Sequence, residues 1–298
     1  MLSILIPTYN YNAYPLAQEL EKQALFLNLP FELICIDDGS FSPLNEENQK
    51  INTLTNCKFI EGQKNIGRAA MRLKLAKMAR YNKLLLLDAD VKPSSDSFLK
   101  MYSDIISKKF DVYFGGFAYS HEDYDPKKSL RYTFGKQREE VSAQVRNQNP
   151  YKIIISANFL IDKETYMSIM GENLSKSYGM DYFFGAMLKK KKAKVLHLDN
   201  QVLHKGIDTN VEFLNKTEKA VENLYVLNEN KQIQEHSISL LKTYNLLNAL
   251  GLKGMCSFLF RKTYHRIKNN LLGSSPNLIL FDLYKLGYLC SMPKKNSL

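Results

Sequence analysis

The sequence predicts an α/β protein: a mostly parallel central sheet with helices on both faces, followed by an α-helical C-terminal extension. Three observations predict it. Apolar runs and helix-period stretches alternate through the first two hundred residues. The run LLLL at 84–87 is continuous, as a strand covered on both faces requires, where a half-exposed strand would alternate. After Gly206 strand signals stop and helical periods take over, broken near Gly251, Gly254 and the GSSP at 273–276.

The elements follow in order. Leu2 to Ile6 reads as the first strand and runs into Pro7, Thr8, Tyr9 and Asn10. Phe31 to Ile36 is the second and ends in Asp37, Asp38, Gly39 and Ser40. Cys57 to Ile60 is the third; Leu84 to Leu87, the fourth, ends in Asp88, Ala89 and Asp90. Ser94, Ser95 and Asp96 offer caps to a helix whose apolar face is Phe98, Met101, Tyr102 and Ile105. Further on, Asp199 and Asn200 sit where a turn would separate two short strands, and Lys189 to Lys192 reads as a solvated helix end.

The chain of 298 residues, 45% hydrophobic and 24% charged, can bury a sizeable core, which excludes disorder, collagen-like repetition and disulfide-stapled miniproteins. No uncharged apolar run reaches the roughly 18 residues of a membrane span, and MLSILIPTYN has no basic leader, so a cytosolic protein is expected. Cys35, Cys57, Cys256 and Cys290 lie far apart without a CxxC pair, which favours reduced thiols over a zinc ribbon. The net charge of +11 suits phosphate-bearing ligands, nucleic acid or an anionic membrane face. Its placement is uneven: from Lys242 onward stand Lys253, Arg261, Lys262, Arg266, Lys268, Lys285, Lys294 and Lys295 against the single acid Asp282. Apolar Phe258, Leu259, Tyr264, Ile267, Leu271 and Leu272 interleave with these bases, a pattern that either packs inward or lies on anionic lipid.

In open sheets of this kind ligands bind at the carboxyl ends of the strands. Here those ends carry Asp37, Asp38, Asp88 and Asp90, acids that would repel one another unless a cation and hydrogen-bond donors balance them. They would also repel a nucleic-acid backbone, so no nucleic-acid partner is expected.

The ordered set SILIPTYN, ICIDDGS, NIGRAAMR and LLLLDAD resembles the inverting family 2 glycosyltransferases of GT-A fold. The resemblance covers residues 1–206, divided into a nucleotide-binding half at 1–118 and an acceptor half at 119–206, with 207–298 as the helical basic extension. It implies that Asp38, with Asp37 nearby, accepts a hydrogen bond from the donor base, while Pro7, Thr8 and Tyr9 wall the base and ribose. Arg68 would lie beside the base or diphosphate. In the triplet Asp88, Ala89 and Asp90, the first acid would face ribose and metal and the last would ligate Mn²⁺ or Mg²⁺. A hard cation held there offsets the charge that grows on a departing nucleoside diphosphate.

Downstream, YGMDYFF resembles the family's GED-like motif, which implies that Asp181 is the general base that activates the acceptor hydroxyl. Met180 stands where the family has an acid, and Asp181 also reads as an acid at a helix N-terminus. The resemblance places His204 in the metal shell with Asp88 and Asp90, with His197 as its competitor. Asn158 resembles a residue near the donor sugar and is equally a turn former. Arg138 and Arg146, eight residues apart, would share a helical face and either close over a diphosphate or, with Glu139 and Glu140, form a solvated helix.

The function implied is metal-dependent, inverting transfer from a nucleotide-diphosphate sugar, a UDP-sugar foremost, to a saccharide or polyprenyl-linked glycan in cell-surface polysaccharide biosynthesis. The enzyme would be cytoplasmic or peripheral on the cytoplasmic membrane face. A QxxRW signature is absent, as is any Trp, which points to single transfer over polymerisation. A nucleotidyltransferase would show a GxGxR loop where PTYN stands; a non-catalytic binder is the other alternative, because Met180 breaks the motif.

Overall fold

The computed structural model describes residues 1–171, 180–233 and 236–293. Its strands are β1 Leu2–Thr8, β2 Phe31–Asp37, β3 Cys57–Glu61, β4 Lys83–Leu87, β5 Val91–Pro93, β6 Val112–Phe114, β7 Phe117–Ala118, β8 Asn158–Asp162, β9 Val195–His197 and β10 Val202–His204. The helices are α1 Tyr14–Phe26, α2 Asn45–Asn48, α3 Arg68–Met78, α4 Phe98–Ile105, α5 Ser129–Phe134, α6 Ala143–Gln148, α7 Lys163–Met170, α8 Met180–Lys190, α9 Asn210–Glu229, α10 Ser239–Ala249, α11 Lys253–Leu272 and α12 Leu278–Cys290.

The chain divides into two compact units. The first comprises Met1–Tyr119, Glu139–Lys176 and Lys191–Gly206. Its main sheet has the order β3-β2-β1-β4-β8-β6-β9. Strands β3, β2, β1 and β4 run parallel, and β8 pairs antiparallel with both β4 and β6. The four predicted strands form where the apolar runs lie. Leu84 to Leu87 are fully buried, as the continuous run demanded. The helix after Pro93 starts at Phe98 with no side-chain cap, and it buries Phe98, Leu99 and Tyr102 while Met101 faces solvent.

A second, three-stranded sheet of order β5-β10-β7 lies in the same unit. It separates the two strands on either side of Asp199 and Asn200, since β9 belongs to the main sheet and β10 to the small one. Those two residues brace the crossing. Asp199 accepts from the Ala143 amide at 2.7 Å, and the Asn200 amide donates to the Phe98 carbonyl at 3.0 Å.

The second unit, Ser120–Arg138, Ser177–Lys190 and Ile207–Leu298, is helical. It therefore takes in two stretches that the sequence reading assigned to the acceptor half. Two apolar clusters hold it together: one joins Leu214 to Phe260, Ile267, Leu271, Phe281 and Tyr284, the other joins Ala186 to Val221, Leu224, Leu241 and Leu289. Thr209 and Glu212 form a capping box at the start of α9. No described helix is long and apolar enough to cross a membrane. Gly179 of the GED-like motif, and Lys294 and Lys295 of the basic tail, lie outside the described residues.

Candidate active site

Loops at the carboxyl ends of β1, β2 and β4 are pinned by polar side chains, some their own and some from α2 and α3. After β1, the Asn48 side chain donates to the Tyr11 carbonyl at 3.0 Å and accepts from the Ala13 amide at 2.8 Å, and Thr8 donates to Tyr11 at 3.1 Å. Thr8 is thereby buried, whereas Tyr9 stands exposed at the loop tip. After β2, Asp37 accepts from the Ser40 amide at 2.8 Å through Oδ2, and its buried Oδ1 has no partner. Gly39, at φ +68°, lets this turn touch the backbone of Lys64; a Cβ would come within 2.4 Å of that carbonyl carbon.

Asp38 uses both oxygens to hold the amides of Ile66 (2.7 Å) and Gly67 (2.8 Å). This carboxylate at the start of α3 opposes the positive end of the helix dipole and fixes the residue that follows, Arg68. Any contact of Asp38 with a base would add to these two bonds.

Arg68 and Arg72 stand one turn apart on α3, and both reach Asp88. Arg72 lies 2.5 Å from Asp88 Oδ1, Arg68 binds Oδ2, and Arg72 also donates to the Ser156 hydroxyl at 2.8 Å and carbonyl at 2.6 Å. Sequence reasoning missed Arg72, although its i, i+4 spacing from Arg68 was readable. A turn at Ala89–Asp90 then sends the second acid elsewhere. The expected cluster of Asp88, Asp90 and His204 is thus not assembled, and among the described residues no three His, Cys, Asp or Glu side chains converge as metal ligands. The physical reason is that two guanidinium groups already neutralise Asp88 and hold it against α3.

Asp90 does meet His204. Antiparallel pairing of β5 with β10 sets His204 opposite Val91, and the Lys205 amide donates to the Asp90 carbonyl at 2.8 Å. Asp90 Oδ2 then lies 3.4 Å from His204 Nε2. Burial alone would raise the Asp90 carboxyl, but the hydrogen bond and charge of His204, with Arg68, hold it below the usual carboxylate value. The Tyr11 hydroxyl is pushed up by burial and by the Asp90 charge, which places that ring within electrostatic reach of the acid. His204 is walled by Phe117 and Tyr119 at ring distances of 4.9 and 5.7 Å, and its buried Nδ1 has no hydrogen-bond partner.

A divalent cation fits this pair. With bonds of about 2.1 Å, neighbouring ligands of an octahedral ion lie roughly 3 Å apart, close to the observed separation. Asp90 and His204 would hold such an ion through one carboxylate oxygen and one imidazole nitrogen, a donor pair compatible with Mn²⁺ or Mg²⁺.

Three other expected site residues serve different ends. Asn158 is fully buried with every polar atom engaged: it accepts from the Tyr102 hydroxyl at 2.7 Å and donates to the carbonyls of Asn200 (2.8 Å) and Gly116 (3.2 Å), so it cannot face a sugar. Arg146 is buried too, donating to the carbonyls of Val141, Phe114, Gly115 and Leu198 and to His197 Nδ1 at 2.9 Å. It braces β6 and β9 and cannot act as a lid. Arg138 sits on a separate π-helical turn, Gly135–Glu139, and pairs with Asp282 at 3.1 Å, so the shared helical face does not exist. Nor are Glu139 and Glu140 simply solvated, since they bind the Tyr119 hydroxyl and amide. His197 is locked between Arg146 and the Pro150 carbonyl, which removes it as a competitor for the cation. Asp181 lies in the first turn of α8, half-buried, within the second unit.

The profile of Glycosyl transferase family 2 matches residues 3–169, more than half of the chain. The chain is a family 2 glycosyltransferase. Solved structures place this glycosyltransferase among the GT-A folds. Residues 1–349 of S. aureus TarS with UDP-GlcNAc share 18% identity at a TM-score of 0.51, covering 95% of this chain and 89% of that one. The mannosyltransferase PcManGT of Pyrobaculum calidifontis, in complex with GDP-Man and Mn²⁺, shares 12% at 0.50, covering 77% and 64%. Glucosyl-3-phosphoglycerate synthase of Mycobacterium tuberculosis, in complex with Mn²⁺, UDP and glucosyl-3-phosphoglycerate, shares 11% at 0.50, covering 76% and 79%. At these identities the likeness is one of fold. No curated protein sequence matches the glycosyltransferase significantly.

Proposed function

We propose that this enzyme moves a sugar from a nucleoside-diphosphate donor, a UDP-sugar foremost, onto a saccharide or lipid-linked glycan acceptor with inversion at the anomeric carbon, in the assembly of cell-surface polysaccharide. The observation that carries the reading is the approach of Asp90 to His204 after β4, beside the pinned loops that follow β1 and β2. A Mn²⁺ or Mg²⁺ ion held by Asp90 and His204 would offset the charge that develops on the leaving diphosphate.

The chain's own residues do the rest. Pro7 and Tyr9 offer a wall to the base and ribose, with Thr8 buried and holding their loop through Tyr11, and Asp37 has a buried oxygen still free to accept. Arg68, half-exposed at the start of α3, would turn to a diphosphate, with Arg72 keeping its own hold on Asp88. Asp181 takes the proton of the acceptor hydroxyl, work that needs an ionised carboxylate within hydrogen-bond reach. The test is the anomeric configuration of the product by NMR, with Asp181→Asn as the paired variant. Inversion with at least a hundredfold lower kcat in the variant supports the reading; retention, or full activity of Asp181→Asn, overturns it.

The second unit supports a further element of the same reading, an anionic membrane that presents the acceptor. On α11, Phe260, Ile267 and Leu271 turn inward, while Met255, Phe258 and Leu259 stay exposed beside Arg261, Lys262 and Arg266. An apolar stripe rimmed by bases matches the surface of an anionic bilayer in shape and charge.

A further inference from the structure

We propose that Gly206 is a positioning residue whose missing side chain makes room for the Asp90 carboxylate beside His204; this rests on reading Asp90 and His204 as the cation-holding pair. The backbone forces the closeness. Strand β10 ends at His204, and the Lys205 amide is tied to the Asp90 carbonyl at 2.8 Å, so residue 206 arrives directly over the acid. A Cβ on Gly206 would lie 1.9 Å from Asp90 Oδ2, 2.7 Å from its Cγ and 2.8 Å from its Cβ. All three nearest atoms belong to Asp90.

The requirement is one of space. Gly206 is absent from the positive-φ glycines, which are Gly39, Gly67, Gly116 and Gly251, so alanine meets no backbone strain there. What must give way is the acid itself: swinging Asp90 about its Cα–Cβ bond clears Oδ2 and Cγ, and because that rotation leaves the 2.8 Å contact to Asp90 Cβ in place, the backbone at 90 or 206 must also draw back, both movements carrying Oδ2 away from His204 Nε2. A ligand displaced by even an ångström no longer shares an ion with its partner. Glycine at 206 therefore sets the geometry of the pair without touching substrate or ion.

A double-mutant cycle tests the contact with no reference to activity. Wild type, Gly206→Ala, Asp90→Gly and the double variant are unfolded in urea without added metal. Gly206→Ala should lower the midpoint in the Asp90 background and leave it unchanged in the Asp90→Gly background; should Gly206→Ala fail to fold, the double variant is expected to recover. An equal loss in both backgrounds overturns the proposal. Binding of Mn²⁺ in the presence of UDP, read by electron paramagnetic resonance of the free ion, tests the consequence. Affinity should fall 10- to 100-fold in Gly206→Ala, the range typical of residues that orient metal ligands. Wild-type affinity in Gly206→Ala contradicts the positioning role. Wild-type affinity in Asp90→Gly contradicts instead the cation reading on which it rests, whatever the urea cycle gives.

Discussion

Arg72 shows how a single buried side chain can decide what a motif does. The DxD triplet is legible in LLLLDAD, and so is its place at a strand end, but the resemblance turns both acids toward the metal, as if the two were equally free. They are not, because Arg72 and Arg68 capture Asp88 and leave Asp90 to His204. The two arginines should differ sharply in their contribution to stability. Arg72 is buried and also satisfies Ser156, so Arg72→Ala leaves a partly buried carboxylate and a hydroxyl short of partners and should cost roughly 3 kcal/mol. Arg68 is half-exposed, and solvent replaces much of what it offers; Arg68→Ala should cost under about 1 kcal/mol. Urea midpoints of the two variants check this, and equal losses would contradict it. Asp38 makes a similar point. Its two amide bonds to Ile66 and Gly67 are a structural duty that DDGS alone does not disclose.

At the scale of elements, the long buried strands were readable because a continuous apolar run has few other uses, whereas the three-residue strands were not. Val91–Pro93 and Val202–His204 carry almost no periodic signal, yet their pairing across more than a hundred residues is what brings His204 to Asp90. The supposed helix joining Arg138 and Arg146 failed for a related reason. A break at residues 140–142 separates two short helical pieces, so the eight-residue spacing sets no common face. The Arg146–His197 brace carries a pH dependence. Arginine only donates and the Pro150 carbonyl only accepts, so His197 is neutral, with its proton on Nε2. Burial first, and then Arg146, bring its pKa down to about 4, against the pull of the Pro150 carbonyl in the other direction. Between that value and an unfolded pKa of about 6.5 the unfolded chain binds the extra proton, so stability rises with pH across this window and falls as pH drops through it, by up to about 3 kcal/mol. Urea unfolding at pH 7 and pH 4.5 should show the loss, and His197→Gln should reduce it; an unchanged pH slope in the variant would exclude His197 as its source.

For the whole molecule, the excess of positive charge has a definite address. Bases of α11 stand beside exposed Met255, Phe258 and Leu259, while the other face of the helix builds the core of its unit with α9 and α12. Deleting the extension would expose that core, so charge reversal is the sounder probe. Arg261→Glu with Lys262→Glu should keep the fold and cut binding to phosphatidylglycerol vesicles at least tenfold in a sedimentation assay, and binding of the parent protein should weaken with salt. Binding indifferent to both would rule out an electrostatic membrane surface here. The basic bias of this region was plain in the sequence; which apolar residues remain exposed was not, because a stripe of alternating bases and apolar groups serves packing and lipid equally well until its neighbours are known. Above all stands the claim that Asp90 and His204 jointly hold a divalent ion for nucleotide-sugar transfer. The most direct measurement is nucleoside-diphosphate release from a panel of nucleotide sugars, with and without Mn²⁺, by the parent enzyme and by Asp90→Asn and His204→Ala. Release that depends on Mn²⁺ in the parent and drops at least a hundredfold in both variants is the predicted result; release that survives chelation, or persists in both variants, would contradict the account.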